Sequence, residues 1–248
     1  MTKNNGKNQF NNFAVLTAEI SNIQNKKSGA GKEYKTASAT LTGITYKGED
    51  GLLYSPVIEV LVFGPAGKYL TAGPKVLTGS LSYSERKGEN NAIERQLKLI
   101  ATTVKPITDG KERTFVRLTV RVGKEVKTKL SSTTSLPYSN IRASLSMGKD
   151  DKDNYRPSLW LNLKAFSGKN GEHSDFVYTL GNLDAGDYID VDGGLTVEEY
   201  KGEFWWGVYL RTLGVEYHDF GDGNHKSLNT IEEEFEQEKS RILEAIPD

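Results

Sequence analysis

The sequence predicts an all-β protein of two tandem five-stranded barrels, each with a short helix after its third strand, followed by an acidic C-terminal helix. Three observations support this prediction. Val, Ile, Thr, Tyr and Phe cluster in short runs separated by Gly, Asn, Lys and Asp, as is typical of strands and turns. The second half repeats the order of runs in the first. Each copy also has a glycine inside a strand, where a sharp bend is expected.

The first copy contains five predicted strands, at residues 13–23, 35–44, 56–63, 75–84 and 95–104. Between the third and fourth strands, G-P-A-G-K-Y-L-T-A-G has room for one short helix ended by Gly73. The second copy contains five more, at residues 115–130, 140–147, 159–166, 187–197 and 204–215.

The two copies share several sequence positions. S-P-V-I-E-V-L-V-F-G matches S-L-W-L-N-L-K-A-F-S, and an Ala-Gly pair then precedes a strand that contains Gly79 or Gly193. Five strands, a tight bend and a helix after strand three are the pattern of the OB-fold. The sequence therefore predicts a disordered segment at 1–9, one OB-fold at 10–110 and a second at 111–219.

Charge is distributed unevenly along the chain. Residues 1–110 carry 14 basic and 9 acidic residues, a net of +5, whereas residues 220–248 carry 3 and 8, a net of −5. Such asymmetry suggests a nucleic-acid partner. The acidic segment predicts a helix capped by Asn229, with three open roles: docking a partner, pairing with its twin, or covering a basic groove.

The composition argues against catalysis. The chain has no cysteine, its three histidines lack metal-ligand spacing, and no G-x-x-x-x-G-K-[ST] phosphate loop is present. We expect no cofactor and no metal. No apolar run suggests a signal peptide or a membrane span, so a soluble cytoplasmic protein without a membrane partner is expected.

The segment V-F-G-P-A-G-K-Y-L-T-A-G-P-K-V-L-T-G-S-L-S-Y, followed by R-Q-L-K-L-I-A-T-T-V, resembles the single-stranded DNA-binding protein family of bacteria and phages. The resemblance covers residues 10–107 and, more loosely, 114–217. It implies sequence-independent binding of single-stranded DNA in replication, recombination or repair. It also implies a nucleoid-associated protein in a bacterium or a phage-infected host, and a homodimer in which two chains supply four barrels.

Two features depart from the family pattern. Many members have a Trp six residues before the Phe of Phe-Gly; Trp160 occupies that position before Phe166, but Val57 replaces it before Phe63. Members often end in Asp-Asp-Ile-Pro-Phe, a docking peptide for repair proteins. This chain ends L-E-A-I-P-D, so its resemblance to a tail that docks a replication or repair protein is partial.

The segment E-F-W-W-G-V-Y-L-R supplies the main binding candidates of the second barrel. Alternation predicts a core face of Phe204, Trp206, Val208 and Leu210. The opposite face carries Trp205, Gly207, Tyr209 and Arg211. Its aromatic side chains either stack on bases or pack under a loop or against the other barrel.

Two further strands add candidates to the second barrel. Trp160 and Lys164 share a face of strand 159–166, although a structural role for Trp160 stays open. Arg117 and Arg121 lie on strand 115–130 and contact phosphate or simply face solvent. The outward Asp190, Asp192 and Glu198 are expected to repel phosphate, so DNA avoids that face or the second barrel serves assembly.

The first barrel offers two basic loops, because OB-folds grip ligands with the loops after strands one and four. The first loop carries Lys26, Lys27, Lys32, Tyr34 and Lys35. The second loop and its neighbouring strand carry Arg86, Lys87, Arg95 and Lys98. Turn tyrosines Tyr46, Tyr54 and Tyr83 are secondary candidates, since such residues frequently cover a core edge.

Two rival functions are compatible with these patterns. The barrels and the helix could serve only protein assembly, without nucleic acid. Aromatic platforms also suit an oligosaccharide-binding β-module. Salt separates the latter from a DNA-binding protein, because affinity for DNA falls steeply as salt is added.

Overall fold

The computed structural model describes residues 10–29, 31–87, 93–149, 152–200 and 202–218. The predicted segment 1–9 and the predicted helix within 220–248 lie outside these residues. The first half contributes strands β1 (Asn12–Lys27), β2 (Glu33–Leu41), β3 (Tyr46–Lys47), β4 (Leu53–Tyr54), β5 (Val57–Phe63), β6 (Gly73–Lys87) and β7 (Ile93–Pro106). A short 3₁₀ helix, Gly64–Tyr69, lies between β5 and β6.

The second half has the same plan without the small hairpin of β3 and β4. It contributes β8 (Thr114–Leu130), β9 (Pro137–Leu145), β10 (Leu159–Phe166), helix α1 (Ser174–Gly181), β11 (Tyr188–Tyr200) and β12 (Glu203–Tyr217). All ten predicted strands are present, with ends shifted by up to four residues. The β3–β4 hairpin was not predicted, because two-residue strands carry too little alternation to be recognised.

In each half of the chain, the five main strands pair in a closed ring. The first ring is β1-β2-β5-β7-β6, with β6 pairing back to β1, and the second ring is β8-β9-β10-β12-β11, with β11 pairing back to β8. In each ring one pair is parallel, β5 with β7 and β10 with β12. The fold is thus mostly β with a closed five-stranded barrel and further strands, which is consistent with an OB-fold.

The strand glycines identified from sequence lie where the rings bend. A Cβ on Gly79 would overlap the carbonyl oxygen of Ile100, and a Cβ on Gly193 would overlap that of Tyr209. The register shifts at these same glycines, between β6 and β7 and between β11 and β12. Glycine is therefore required by close backbone approach at the two matching corners.

One antiparallel contact joins the two rings into a ten-stranded sheet. The first residues of β1 pair with the first residues of β8, with Val15 opposite Phe115. β1 and β8 are the first strands of their rings, so the two rings meet through equivalent strands.

The interior follows the predicted alternation, with one correction. Leu159, Leu161 and Leu163 of β10 are buried, as are Trp206 and Val208 of β12. Phe204, predicted to be in the core, is 46% exposed. It lies beside the turn that joins β11 to β12, beyond the core, and its ring packs edge-on against Tyr46 at 5.0 Å.

Candidate nucleic-acid interface

The outer face of β9, β10 and β12 brings together exposed aromatic side chains. Arg142 of β9 is opposite Asn162 of β10, and Asn162 is opposite Gly207 of the parallel strand β12. Trp160 and Trp205 each lie two residues earlier on these parallel strands, so they are neighbours on the same face. Both indoles are accessible, Trp160 at 41% and Trp205 at 37%.

Arg142 lies between the two indoles. Its guanidinium carbon is 4.9 Å from the ring centre of Trp205 and 5.6 Å from that of Trp160, and its Nη1 donates a hydrogen bond to Asn162 Oδ1 at 2.9 Å. Cation–π attraction and this hydrogen bond hold the guanidinium against the sheet face. The result is a positive charge fixed beside two exposed aromatic surfaces.

A second aromatic group continues along the same face. Phe166 stacks on Tyr138 at 6.0 Å and meets Tyr209 edge-on at 5.6 Å. Phe166 is 54% exposed and Tyr209 is 48% exposed. We define the aromatic face as Tyr138, Arg142, Trp160, Phe166, Trp205 and Tyr209. Chemically, it can stack planar rings and attract a nearby anion.

The first ring has only part of this arrangement. Tyr34 and Phe63 stack at 5.0 Å, in the strand positions that match Tyr138 and Phe166. Where the second ring has Arg142 and Trp160, however, the first ring has Ser38 and Val57. The aromatic face is therefore a property of the second ring rather than of both.

The first ring instead gathers basic residues. Lys26, Lys27, Lys35 and Lys68 line a groove of about 560 Å³ beside Tyr34, together with Glu33, whose carboxylate is 3.6 Å from Lys27 Nζ. The predicted gripping loop is thus mostly strand: of the candidates, only Lys32 lies in the turn between β1 and β2. Strand pairing, from Lys27 with Glu33 onward, holds Lys26, Lys27 and Lys35 in place, whereas Lys68 lies on the 3₁₀ helix.

The second predicted loop is also mostly strand. Arg86 and Lys87 belong to β6 and Arg95 belongs to β7, and the two strands pair in register up to Lys87. We therefore place these three candidates on paired strands rather than in a loop.

Besides Lys27, which pairs with Glu33, three predicted DNA-contacting cations are engaged in ion pairs. Lys98 pairs with Glu59 across the parallel strands β5 and β7, and both side chains are 19% exposed. Lys164 pairs with Glu198 of β11. The guanidinium of Arg117 binds both carboxylate oxygens of Asp192 at 2.6 Å. These hydrogen bonds raise the pKa of Arg117 above its usual value.

Two of the three carboxylates that were expected to repel phosphate are therefore paired with cations. Besides the pairs of Asp192 and Glu198, Asp190 accepts hydrogen bonds from Asn11 and Thr119 and lies 3.0 Å from His218 Nδ1. The acidic face expected on β11 is therefore reduced: Asp192 and Glu198 pair with cations on β8 and β10, whereas Asp190 accepts hydrogen bonds from two neutral side chains.

Two other predicted cations lie against aromatic rings. The guanidinium of Arg211 is 5.2 Å from the ring centre of Phe115, and that of Arg121 is 5.9 Å from that of Tyr188. Both side chains are exposed. They flank the aromatic face along β12 and β8 rather than forming part of it.

The described residues contain no group of three or more His, Asp or Glu side chains that could hold a metal ion. Among the helices in the same ranges, none is long and apolar enough to cross a membrane.

Comparison with known proteins gives one consistent result. No protein-family model matches the sequence, and no curated protein matches it. The wild-type single-stranded DNA binding protein from Thermus aquaticus has a TM-score of 0.54 at 15% identity, over 88% of this chain and 98% of that chain. A deletion variant of that protein gives 0.55 at 15% identity, over 88% and 100%.

The chain has the fold of that bacterial protein. The resemblance to bacterial single-stranded DNA-binding proteins inferred from sequence is thus confirmed at the level of the fold. At 15% identity the similarity concerns architecture and not individual side chains. The candidate interface is therefore defined by side-chain contacts within this chain and not by comparison with the Thermus aquaticus protein.

Sequence reasoning missed Arg142, which occupies the centre of the aromatic face. A signal was available, because Arg142 alternates with the apolar Ile141 and Ala143 in a predicted strand and therefore had to point outward. Tyr138 was missed because it lies before the predicted start of that strand at residue 140. Its partner Phe166 lies two positions after Lys164 on a predicted strand, so alternation puts it on the same face as Trp160 and Lys164, although it is not among the predicted binding residues.

Proposed function

We propose that this protein binds single-stranded DNA without sequence preference, through two tandem OB-folds at residues 10–110 and 111–219, and catalyses no reaction. The observation that carries the proposal is the aromatic face, with Arg142 held between the exposed indoles of Trp160 and Trp205. Exposed aromatic rings beside fixed cations are what sequence-tolerant single-strand binding requires. The shared fold with the Thermus aquaticus protein supports the proposal.

In this proposal the bases stack on the indoles of Trp160 and Trp205 and on the ring of Tyr209. Every base presents a flat ring, so stacking tolerates any sequence. Arg142 lies close enough to both indoles to neutralise a phosphate beside a stacked base. Because Arg142 is already held by Asn162, little conformational entropy is lost when the strand binds.

The two rings then contribute differently. The second ring supplies stacking, and the first supplies a groove of lysines, Lys26, Lys27, Lys35 and Lys68, that attracts phosphates and releases their counterions. Lys98, Arg117 and Lys164 contribute less, since each already neutralises a carboxylate and each pair includes a side chain at most 20% exposed. The Lys27–Glu33 pair is longer and both its side chains are exposed, so it competes only weakly with phosphate. This division refines the site expected from sequence.

The cellular role rests on the sequence resemblance. We propose protection of single-stranded DNA in replication, recombination or repair, in the cytoplasm at the nucleoid. The resemblance also favours a homodimer and recruitment of a replication or repair protein through the acidic residues 220–248. A native mass measurement tests the dimer, and a pull-down with and without residues 220–248 tests recruitment.

Binding is tested by the fluorescence anisotropy of labelled oligo-dT of graded length at increasing salt. We expect binding at low salt and a steep loss of affinity as salt rises, because phosphate contacts release counterions. No binding at low salt would sink the proposal. Binding of oligosaccharides with little salt dependence would instead favour the sugar-binding alternative.

A further inference from the structure

The small hairpin of β3 and β4 stands outside the first ring as a two-stranded sheet of its own. Its turn is held by hydrogen bonds from Gly48 N to the carbonyl oxygen of Leu52 and from Gly51 N to that of Gly48, both at 2.9 Å. The Tyr54 hydroxyl donates to the Asp50 carboxylate, and this bond lowers the pKa of Asp50. The hairpin therefore keeps its shape through its own bonds.

This hairpin of the first half lies against the second half. Its half-buried Tyr46 packs edge-on against Phe204 of β12, with the ring centres 5.0 Å apart, and β3 contacts β11. The contact falls near the end of β11 that β8 does not cover, since β8 pairs with β11 only from Tyr188 to Gly194. The hairpin thus stands beside a sheet edge at the margin of the aromatic face.

Between the hairpin and the second ring is a groove of about 600 Å³. Tyr46 and Lys47 line it from the first half, and Asn162, Trp205 and Tyr209 line it from the second. Trp205 and Tyr209 also belong to the aromatic face, so the groove and that face are continuous. Its volume lies in the range of pockets that bind small organic groups.

The charges of the groove select which part of a nucleotide enters it. Glu198 and Glu199 line it, and Glu198 is already paired with Lys164. A carboxylate repels phosphate but accepts hydrogen bonds from base edges. The exposed Lys47 on the hairpin supplies the nearby cation for a flanking phosphate.

We infer that the β3–β4 hairpin is part of the DNA-binding site: a base of the single strand enters the groove between Tyr46 and the aromatic face. Neither half then contains the whole site, because the stacking Trp205 comes from one half and Tyr46 and Lys47 come from the other. This inference rests on the proposed binding of single-stranded DNA, and adds a route for the strand across both halves.

Photo-crosslinking to the unmodified protein tests this placement directly. Oligo-dT with a single 5-iodo-deoxyuridine is irradiated with the full chain, and the crosslinked peptides are identified by mass spectrometry. Crosslinks to Tyr46 and to Trp205 or Tyr209 are expected, because all three side chains line one groove. Crosslinks confined to the second half would overturn the inference and leave the proposed function intact.

Substitution gives an independent measurement. Tyr46→Ala should weaken oligo-dT binding about tenfold, the loss expected for one stacked base. Tyr178→Ala is the matched control, because Tyr178 is 40% exposed on helix α1 and lines no part of this groove. Equal affinities for the two variants, with wild-type protein binding normally, would overturn the hairpin's role; failure of the wild type to bind would overturn the proposed function itself.

Discussion

The adjacent tryptophans of β12 provide a matched pair of substitutions for testing the aromatic face. Trp205→Ala and Trp206→Ala remove the same side chain from neighbouring positions on opposite faces of one strand. Trp205 is 37% exposed and contacts the Arg142 guanidinium, whereas Trp206 is 6% exposed in the core of the second ring. The first substitution should affect binding, and the second should affect stability.

The expected magnitudes differ clearly. Losing Trp205 removes an exposed cation–π contact of about 0.5–1 kcal/mol and some packing, so the free energy of unfolding should fall by about 1 kcal/mol. Losing the buried Trp206 should cost about 3–5 kcal/mol. A DNA base that stacks on Trp205 contributes about 1–3 kcal/mol, which corresponds to a rise in Kd of about 5- to 150-fold.

Thermal unfolding followed by circular dichroism measures the stability of each variant. About 2–4 °C of Tm is lost per kcal/mol in a chain of this size, so Trp205→Ala should lower Tm by only a few degrees. Binding should be followed through the anisotropy of a labelled oligonucleotide, because Trp205→Ala removes one of three tryptophan reporters. Wild-type affinity in a folded Trp205→Ala protein would refute the stacking role and leave Trp205 as a surface packing residue.

Three further predictions concern charge, backbone and pH. Arg142→Gln should weaken oligo-dT binding several-fold, because it removes a cation that contacts phosphate. The slope of log affinity against log salt should fall by about one phosphate contact, and an unchanged slope would contradict that contact. Gly79→Ala and Gly193→Ala should each lower the free energy of unfolding, measured by urea denaturation, by about 1–3 kcal/mol, because the new methyl overlaps a carbonyl oxygen. Gly29→Ala is the control, because a Cβ at Gly29 meets open space. Burial, with the nearby Asp187, raises the pKa of Tyr217, so its stabilising contribution is complete below about pH 10 and is lost as pH rises above that value. Tyr217→Phe should therefore lose less stability than the wild type in alkaline urea titrations, and parallel curves would exclude this linkage.

Much of the fold was predictable because it depends on short-range pattern. Period-two alternation located the strands and separated Trp206 from Trp205 without knowledge of any partner strand. The glycines at 79 and 193 marked the corners because a glycine weakens a strand unless the backbone must bend sharply there. Phe204 was misplaced because alternation states which way a side chain points and not whether the core extends that far.

The state of each charged residue depended on contacts between distant positions. Arg117 and Asp192 are 75 positions apart in the chain, and Lys164 and Glu198 are 34 apart, so nothing local identified them as partners. Their pairing neutralises two of the three carboxylates expected to form an acidic face on β11, together with part of the cationic surface expected beside it. The exposed charges inferred from sequence therefore overestimated both the repulsion of phosphate and its attraction on these strands.

The sequence by itself determined the order of strands, the bends and the outward direction of Trp160, Trp205 and Tyr209, because each follows from residues within a few positions of one another. Only the tertiary structure decided which of these side chains meet. Register between strands placed Arg142 between Trp160 and Trp205, and the contact of Tyr46 with Phe204 brought the first half to the edge of that face. A binding surface consists of side chains that lie next to one another. Strand pairing, and not distance along the chain, decides which side chains on different strands are adjacent.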